Sequence, residues 1–263
     1  HYTSIENIHK VIDPLFLDEL KAEFEEIRNI AVKRTRERKL QDFQKKLSTL
    51  TFLDPACGSG NFLTETYLSL RRLENEILQE LQGGQMVLGY DNMNPIQVSI
   101  SQFYGIEIND FAVTVAKTAL WIAESQMMKE TESIVLMHLD FLPLKTNAFI
   151  HEGNALQVDW ESVIPKYQLS YIMGNPPFVA RAGRTKAKDS SSKGMLDDTQ
   201  KTDRLNVFGE DLGNVDYVAC WFKKAAVFTK NTAIRCAFVA TDSICQGQQI
   251  YPIWKNILQD DIY

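Results

Sequence analysis

The chain has 263 residues, of which 44% are hydrophobic and 24% charged, and its formal net charge is −6. This composition is sufficient for one α/β core, and no apolar run approaches the length of a membrane span, so we expect a soluble cytoplasmic protein. The four cysteines form no C-x-x-C pair, which predicts reduced core thiols rather than a metal site or a disulfide framework. The negative charge means that any binding of nucleic acid needs local basic patches or another domain.

Residues 5–48 carry apolar side chains at helical spacing, which predicts an N-terminal helical segment over residues 1–48 ahead of a core over residues 49–263. Within this segment, residues 33–39 form a dense basic run. Two interpretations of the run stay open: a solvated helix face, or a contact with a nucleic-acid backbone or a partner.

The first predicted strand, Thr51–Leu53, leads through Asp54 into a glycine turn made by Gly58 and Gly60, and a helix follows from about Asn61 to Leu81. Glycines permit positive φ and close approach of a ligand, and a helix N-terminus offers N–H groups to an anion. The spacing fits neither dinucleotide folds nor phosphate-binding loops. An acid beside such a turn suits a ligand with both an ammonium and a carboxylate, which is the amino-acid end of S-adenosylmethionine.

The second predicted strand is Phe103–Ile108, with a helix following from about Asp110 to Met128. Dinucleotide folds use an acid on their second strand to bind ribose, so Glu107 is expected to accept both ribose hydroxyls of the cofactor. Ile108 would then pack against the adenine ring. The alternative for Glu107 is a surface glutamate at a strand end. Residues 148–156 are predicted as a third strand running into its carboxyl-end loop.

The fourth predicted strand, Leu169–Met173, brings the sequence Gly-Asn-Pro-Pro-Phe of residues 174–178 to the sheet edge where open α/β sheets bind ligands. The side-chain oxygen of Asn175 and the carbonyl oxygen of Pro176 can accept N–H bonds from an amine and stabilise charge that develops on its nitrogen. Consecutive prolines hold that carbonyl in place. Phe178 offers a face for a base taken out of a helix. The alternative is an ordinary proline turn.

Residues 180–194 are rich in Arg, Lys, Ser and Gly and lack a periodic apolar pattern. They are predicted either as a disordered excursion or as a loop that closes on nucleic acid beside the extruded base. A helix from Asp216 to about Thr229 and a fifth strand, Arg235–Ala240, complete the predicted elements.

The motifs resemble those of amino-methylating DNA methyltransferases, whose first motif is Asp-Pro-Ala-Cys-Gly-Ser-Gly, as at residues 54–60, and whose fourth is Asn-Pro-Pro-Phe, as at residues 175–178. Their order resembles the γ group, which methylates N6 of adenine, and residues 1–4 are similar to an upstream motif of that group. Residues 52–63, 104–110 and 171–178 carry a further resemblance to the methyltransferase part of fused restriction-modification enzymes of types IIG and IIL.

This resemblance implies a doubly wound, mostly parallel sheet of the class I S-adenosylmethionine-dependent methyltransferase type. It places the Tyr-Thr pair of the upstream motif near the methionine end of the cofactor, and Asn154 opposite the cofactor's adenine amine, although a loop-capping role for Asn154 stays open. Asp216 and Tyr217 are weaker candidates for the target-base pocket. The expected catalytic residues are Asn175, Pro176, Pro177 and Phe178, and the expected cofactor-binding residues are Tyr2, Thr3, Asp54, Ala56, Cys57, Gly58, Gly60, Glu107, Ile108, Asn154 and Ala155.

The function that follows is transfer of a methyl group from S-adenosylmethionine to N6 of a flipped-out adenine in duplex DNA, within a restriction-modification or related defence system. RNA-adenine or protein-glutamine methylation and a catalytically idle DNA- or cofactor-binding subunit remain alternatives. The class that the chain resembles has seven strands and a target-recognition region, so we expect the chain to be a fragment that lacks that region. The presence of an attached nuclease stays open. The fragment's own binding to duplex DNA should then be weak and non-specific.

Overall fold

The computed structural model of the protein describes residues 3–82, 95–136, 139, 147–179, 196–209 and 215–258. Its strands are β1 (Phe52–Asp54), β2 (Phe103–Glu107), β3 (Phe149–Glu152), β4 (Tyr171–Gly174) and β5 (Arg235–Phe238). They form one parallel sheet in the order β3-β2-β1-β4-β5. The five strands predicted from the sequence are therefore confirmed.

The described helices are α1 (Ile5–Ile12), α2 (Asp18–Arg28), α3 (Lys33–Thr49), α4 (Asn61–Gln82), α5 (Asp110–Val135), α6 (Trp160–Val163), α7 (Asp198–Phe208), α8 (Ala219–Thr229) and α9 (Ile250–Leu258). A π-helical turn, Asp13–Leu17, joins α1 to α2. The predicted N-terminal helical segment is present but is interrupted after Arg28, where the side chain of Asn29 donates to the carbonyl of Glu25 at 2.8 Å.

Helices cover both faces of the sheet. Because successive strand residues point to opposite sides, neighbouring residues of one strand pack into different cores. On β1, Phe52 packs into a core shared with α1 to α5, whereas Leu53 packs into a second core shared with α6 and α8. Both residues are fully buried. The doubly wound α/β fold class is thus confirmed.

The N-terminal helices belong to the same core as the sheet. Phe16 in the π-helical turn lies against Phe52 and Tyr171, with ring centroids 5.2 and 5.0 Å apart, and Phe52 in turn stacks on Phe103 at 5.1 Å. Aromatic pairs at these separations stabilise the packing beyond the area that they bury. This cluster fixes the start of the chain against strands that follow much later in sequence.

The strand order reverses beside β1, and this places a ligand site at one edge of the sheet. β2 and β3 follow on one side of β1, and β4 and β5 on the other. In the parallel register, Phe52 pairs with Phe103 on β2 and with Tyr171 on β4, so the carboxyl ends of these strands meet at a common edge. Open α/β sheets bind ligands in the crevice at such a switch point.

Some predicted features differ from the structure. The helix expected to end near Met128 continues to Val135, because its side chains at Met127 and Thr131 are still buried against α4.

The prediction of core thiols is wrong for Cys236 and Cys245, which are exposed, because β5 is the edge strand of the described sheet and Cys245 lies in a surface turn. Cys57 and Cys220 are buried, as predicted, and all four cysteines are free.

Within the described ranges, no helix is both long and apolar enough to cross a membrane. The same part of the chain contains no group of three or more His, Cys, Asp or Glu side chains placed to hold a metal ion.

Candidate active site

A cleft of about 580 Å³ lies at the carboxyl edge of the sheet. Its walls come from the glycine turn after β1, the end of β2, the loop after β3, the segment after β4, α7, and the region that begins α8. The predicted site residues that it brings together are Ala56, Gly58, Glu107, Ile108, Asn154, Ala155, Asn175, Pro176, Pro177 and Phe178. Thr3, Asp54, Cys57 and Gly60 do not line it, and Tyr2 lies outside the described residues.

The two glycines of the turn have different surroundings. Gly58 adopts φ +53°, and a Cβ placed on it would meet no atom within 4 Å, so its backbone faces open space in the cleft. Gly60 adopts φ +83°, but a Cβ there would lie 3.0 Å from the Cβ of Ala116 on α5. Gly58 therefore leaves room for a ligand, whereas Gly60 allows the turn to pack closely on a helix.

Glu107 is held in the cleft by backbone donors from two loops. Its Oε2 accepts from the N–H of Gly58 and its Oε1 from the N–H of Asn109, both at 2.9 Å. A carboxylate has about four acceptor sites, so each oxygen retains capacity for a hydroxyl donor. The side chain of the adjacent Ile108 is 67% exposed and lines the same cleft. The pair presents a fixed acceptor beside an apolar surface.

Asp54 is a buried carboxyl group at the end of β1. Its Oδ1 accepts from the N–H of Ala56 at 2.9 Å, and the missing side chain of Gly174 makes room for it, because a Cβ there would come within 2.4 Å of that oxygen. Burial raises the pKa of Asp54 to about 7, an effect that the Ala56 N–H opposes and Glu107 reinforces. Among the described residues, no cationic side chain forms an ion pair with it.

Cys57 points away from the cleft into the sheet. A Cβ on Gly105 of β2 would lie 2.8 Å from the Cys57 sulfur, so the thiol occupies the space that this glycine leaves. Burial raises the pKa of the Cys57 thiol well above its ordinary value. The geometry gives the side chain a packing role, and only the backbone of Cys57 belongs to the turn.

Both ends of the Asn154 amide have protein partners. Its Oδ1 accepts from the N–H of Leu156 at 2.9 Å, which caps the loop, and its Nδ2 donates to Oδ2 of Asp203 at 2.8 Å. Asp203, on α7, is 1% exposed and also accepts from the hydroxyl of Tyr217 and from Nε2 of Gln157, each at 2.9 Å. Asn154 lines the cleft, but the geometry matches the loop-capping alternative more directly than contact with an adenine amine.

Sequence reasoning missed Asp203 and the helix that carries it. The start of α7 has a capping box, in which Asp197 accepts from the N–H of Gln200 and Gln200 accepts from the N–H of Asp197, at 2.7 and 3.1 Å. An acidic residue followed three positions later by Gln is a recognised helix start and could have predicted α7. No motif marked Asp203 itself.

Side chains in and before α8 fasten three walls of the cleft. The hydroxyl of Tyr217 donates to Asp203, and Nε1 of Trp221 donates to the carbonyl of Pro55 in the glycine turn at 3.1 Å. One turn further, Lys224 donates to three carbonyls of the loop after β3. Tyr217 lines the cleft as predicted, but Asp216 does not and instead accepts from side chains beside α9.

The segment after β4 carries the predicted catalytic groups. Nδ2 of Asn175 donates to the hydroxyl oxygen of Thr3 at 2.9 Å, and its Oδ1 is buried without a partner among the described residues. Pro176 is buried, whereas Phe178 is 40% exposed at the rim of the cleft. A buried acceptor without a donor and an accessible aromatic ring thus lie in one wall.

The basic run at residues 33–39 is remote from the cleft. It begins α3 just after α2, whose final residue Arg28 forms an ion pair with Glu80 near the end of α4, at 2.8 Å. Because α4 starts at the glycine turn and rises about 1.5 Å per residue, this contact lies roughly 30 Å from that turn. The distance favours a solvated helix face. The other basic segment, residues 180–194, lies outside the described residues.

The chain is similar in sequence to known DNA methyltransferases. Residues 30–263 match the family model described as MmeI, DNA-methyltransferase domain. DNA methyltransferase A of Bacillus subtilis strain 168 is 39% identical over 98% of this chain and 28% of its own length. A putative type II restriction enzyme and methyltransferase of Methanocaldococcus jannaschii is 26% identical over 52% of this chain and 11% of its own length.

A solved structure agrees with these sequence matches. The type IIL restriction-modification enzyme MmeI, determined in complex with DNA, superimposes with a TM-score of 0.85 and is 43% identical over 98% of this chain and 32% of that chain. The chain thus spans about a third or less of each of these relatives. It belongs to the MmeI family of DNA-methyltransferase domains.

Proposed function

We propose that this domain catalyses transfer of a methyl group from S-adenosylmethionine to N6 of an adenine flipped out of duplex DNA. The observation that carries the proposal is the buried Oδ1 of Asn175, which has no hydrogen-bond partner among the described residues, while its amide nitrogen is already bonded to Thr3. A buried acceptor without a donor is costly, and an amine N–H of a substrate would satisfy it. Such a bond strengthens as positive charge develops on that nitrogen, so Asn175 would act mainly in the transition state.

The neighbouring groups suit the same substrate. The carbonyl of Pro176 would accept the second N–H of the amine, and the prolines at positions 176 and 177 would keep this carbonyl in place. Phe178, exposed at the rim, would stack on the extruded base and offset part of the cost of unpairing it, with stacking worth ~1 to 3 kcal/mol. Neither a metal ion nor a covalent enzyme intermediate is required.

The cleft also fits the proposed cofactor. When bound, S-adenosylmethionine supplies an electrophilic methyl group on a sulfonium. Glu107 would accept the ribose hydroxyls with the lone pairs that its two backbone donors leave free, Ile108 would cover one face of the adenine, and Asp54 would balance the ammonium. The remaining proposed cofactor contacts are Tyr2, Thr3, Ala56, Cys57, Gly58, Gly60, Asn154 and Ala155.

The biological setting is part of the proposal. The Bacillus subtilis relative and the MmeI enzyme are several times longer than this chain. We therefore propose that a target-recognition region in the longer protein selects the DNA site and that the enzyme serves a cytoplasmic restriction-modification or related defence system. This domain by itself would bind duplex DNA weakly, with strong salt dependence and without sequence preference.

Labelled methyl transfer tests the reaction. The protein is incubated with methyl-labelled S-adenosylmethionine and with duplex DNA, RNA or protein acceptors, and the labelled product is identified by mass spectrometry after digestion. We expect N6-methyladenine in DNA, and Asn175→Ala should lower the single-turnover rate by ~100-fold or more with little loss of cofactor affinity. Label in RNA, in protein glutamine or on cytosine would overturn the substrate assignment. Cofactor binding without any transfer, at DNA concentrations that saturate the protein, would indicate an idle subunit.

A further inference from the structure

The loop after β3, residues 153–158, forms one wall of the cleft but lies beyond the end of its strand. Gly153, Asn154 and Ala155 face the cleft. Within the loop, the N–H groups of Gln157 and Val158 both donate to the carbonyl of Asn154, at 2.9 and 2.8 Å. The carbonyls of Ala155, Leu156 and Val158 remain available to groups outside the loop, and a side chain from α8 reaches all three.

That side chain is Lys224. Its Nζ donates to the carbonyl oxygens of Ala155, Leu156 and Val158 at 2.8, 3.0 and 2.6 Å. An ammonium has three N–H donors and no acceptor, so this arrangement uses its whole capacity on one loop. In the described part of the chain Lys224 forms no ion pair, and the ring of Trp160 lies 5.5 Å from its Nζ.

We propose that Lys224 is a positioning residue that holds the loop of residues 153–158 in the shape required to bind the adenine end of the cofactor. The inference rests on the proposed function for the identity of that ligand. A methionine of similar length would fill the same space without the cost of burying a charge, but it would leave Leu156 and Val158 without this donor. The ammonium therefore contributes geometry that an apolar side chain cannot supply.

The hydrogen bonds from Lys224 to the loop of residues 153–158 should depend on pH, with a sign that the pKa of Lys224 determines. Burial lowers the pKa of Lys224 to about 8, while the carboxylates of Asp159 ahead of α6 and Asp203 on α7 oppose this effect. Below pH 8 the ammonium donates three N–H bonds to the loop. Above it, the neutral amine has two N–H groups and no charge, so its bonds to the carbonyls weaken. Cofactor affinity should therefore fall as the pH rises through 8.

Calorimetric titration with S-adenosylhomocysteine, the demethylated product, tests the proposal. The proteins compared are the wild type, Lys224→Met, Lys224→Arg and a control, Lys129→Met, on an exposed part of α5. At pH 7 we expect Lys224→Met to weaken binding by about 10-fold or more, Lys224→Arg to lose less, and the control to match the wild type. At saturating cofactor, the single-turnover rate of Lys224→Met should stay within about 3-fold of the wild type, because no reacting atom touches Lys224.

The pH series separates positioning from general stability. Between pH 7 and pH 9 the affinity of the wild type should fall more than that of Lys224→Met, which serves as the reference for titration of the ligand's own amine. Equal pH dependence in both proteins, or normal binding by Lys224→Met at pH 7, would overturn the proposal. If Lys224→Met does not fold, the wild type and Lys224→Arg are compared, and an identical pH dependence in these two overturns it. Failure of the wild type to bind the ligand would instead refute the proposed function.

Discussion

Replacement of Asp54 by Asn should make the unliganded protein more stable and its cofactor binding weaker. Asp54 is 1% exposed, and its ordinary pKa of 3.8 rises to about 7 in the folded protein, chiefly because of burial. An asparagine has nearly the same shape, and its side-chain carbonyl can still accept from the N–H of Ala56. The substitution therefore removes the charge while it keeps the hydrogen bond.

The magnitude follows from the two pKa values. The Asp54 carboxyl group ionises near pH 3.8 in the unfolded chain and near pH 7 in the folded one. The free energy of unfolding therefore decreases as the pH rises from about 4 to 7, because only the unfolded chain ionises readily in this range. Above pH 7 the total decrease is about 4 kcal/mol. Asn does not titrate, so the advantage of Asp54→Asn should be near zero at about pH 4 and fully developed above about pH 7.

Urea and thermal unfolding without cofactor at several pH values measure this effect, with Asp42→Asn as a control on the exposed face of α3. We expect the variant to gain stability only at the higher pH values, with a rise in Tm of about 10 °C at pH 8. Calorimetry at the same pH should show a loss of cofactor affinity of about 10-fold or more, since the ammonium loses its counter-charge. A variant no more stable than the wild type at pH 8 would refute the buried-charge reasoning, and undiminished affinity would refute the proposed charge interaction with the ammonium.

Three further outcomes are expected. Phe178→Ala should raise the activation free energy of methylation by ~1 to 3 kcal/mol on a paired target, and by less when the target adenine is mismatched. The control Tyr167→Ala, at an 84% exposed position, should change neither rate, and equal losses on both DNAs would reject stacking. Thr3→Val should lower the single-turnover rate by about 10-fold without loss of Tm, whereas Thr3→Ser should retain most activity, because the hydroxyl is the group that accepts from Asn175. Low activity of Thr3→Ser would indicate that Thr3 acts through packing instead. Gly60→Ala should lower the free energy of unfolding by ~1 to 3 kcal/mol in urea, because φ is +83° and the added Cβ would lie 3.0 Å from the Cβ of Ala116. An unchanged urea midpoint would contradict the close packing.

The sequence predicted the strands and the rim of the site well because both depend on local signals. A short apolar run at β1, a glycine turn and two prolines can each be recognised within a few residues of sequence. The same local reasoning proposed Cys57 and Asn154 as cofactor contacts, and it gave no sign that the thiol fills space beside Gly105 or that both ends of the Asn154 amide bond within the protein.

What the sequence did not disclose are contacts between elements far apart in the chain. Lys224 follows the loop that it holds by more than sixty residues, and a lysine in an amphipathic helix is ordinarily solvated. Asp203 likewise gains its role only when α7 folds over the loop after β3. Neither residue belongs to a motif, so their roles follow from tertiary packing alone.

The bond between Thr3 and Asn175 joins residues separated by 172 positions, since Thr3 is the first described residue and Asn175 lies in the loop after β4. Contacts of such separation are entropically expensive to close. The proposed catalytic amide therefore depends for its partner on the docking of α1 beside α4 and β5. A molecule whose N-terminal helix has detached locally would keep its sheet and its glycine turn while its catalytic geometry is lost. Activity in this domain should consequently be more sensitive to local detachment of α1 than global unfolding measurements indicate.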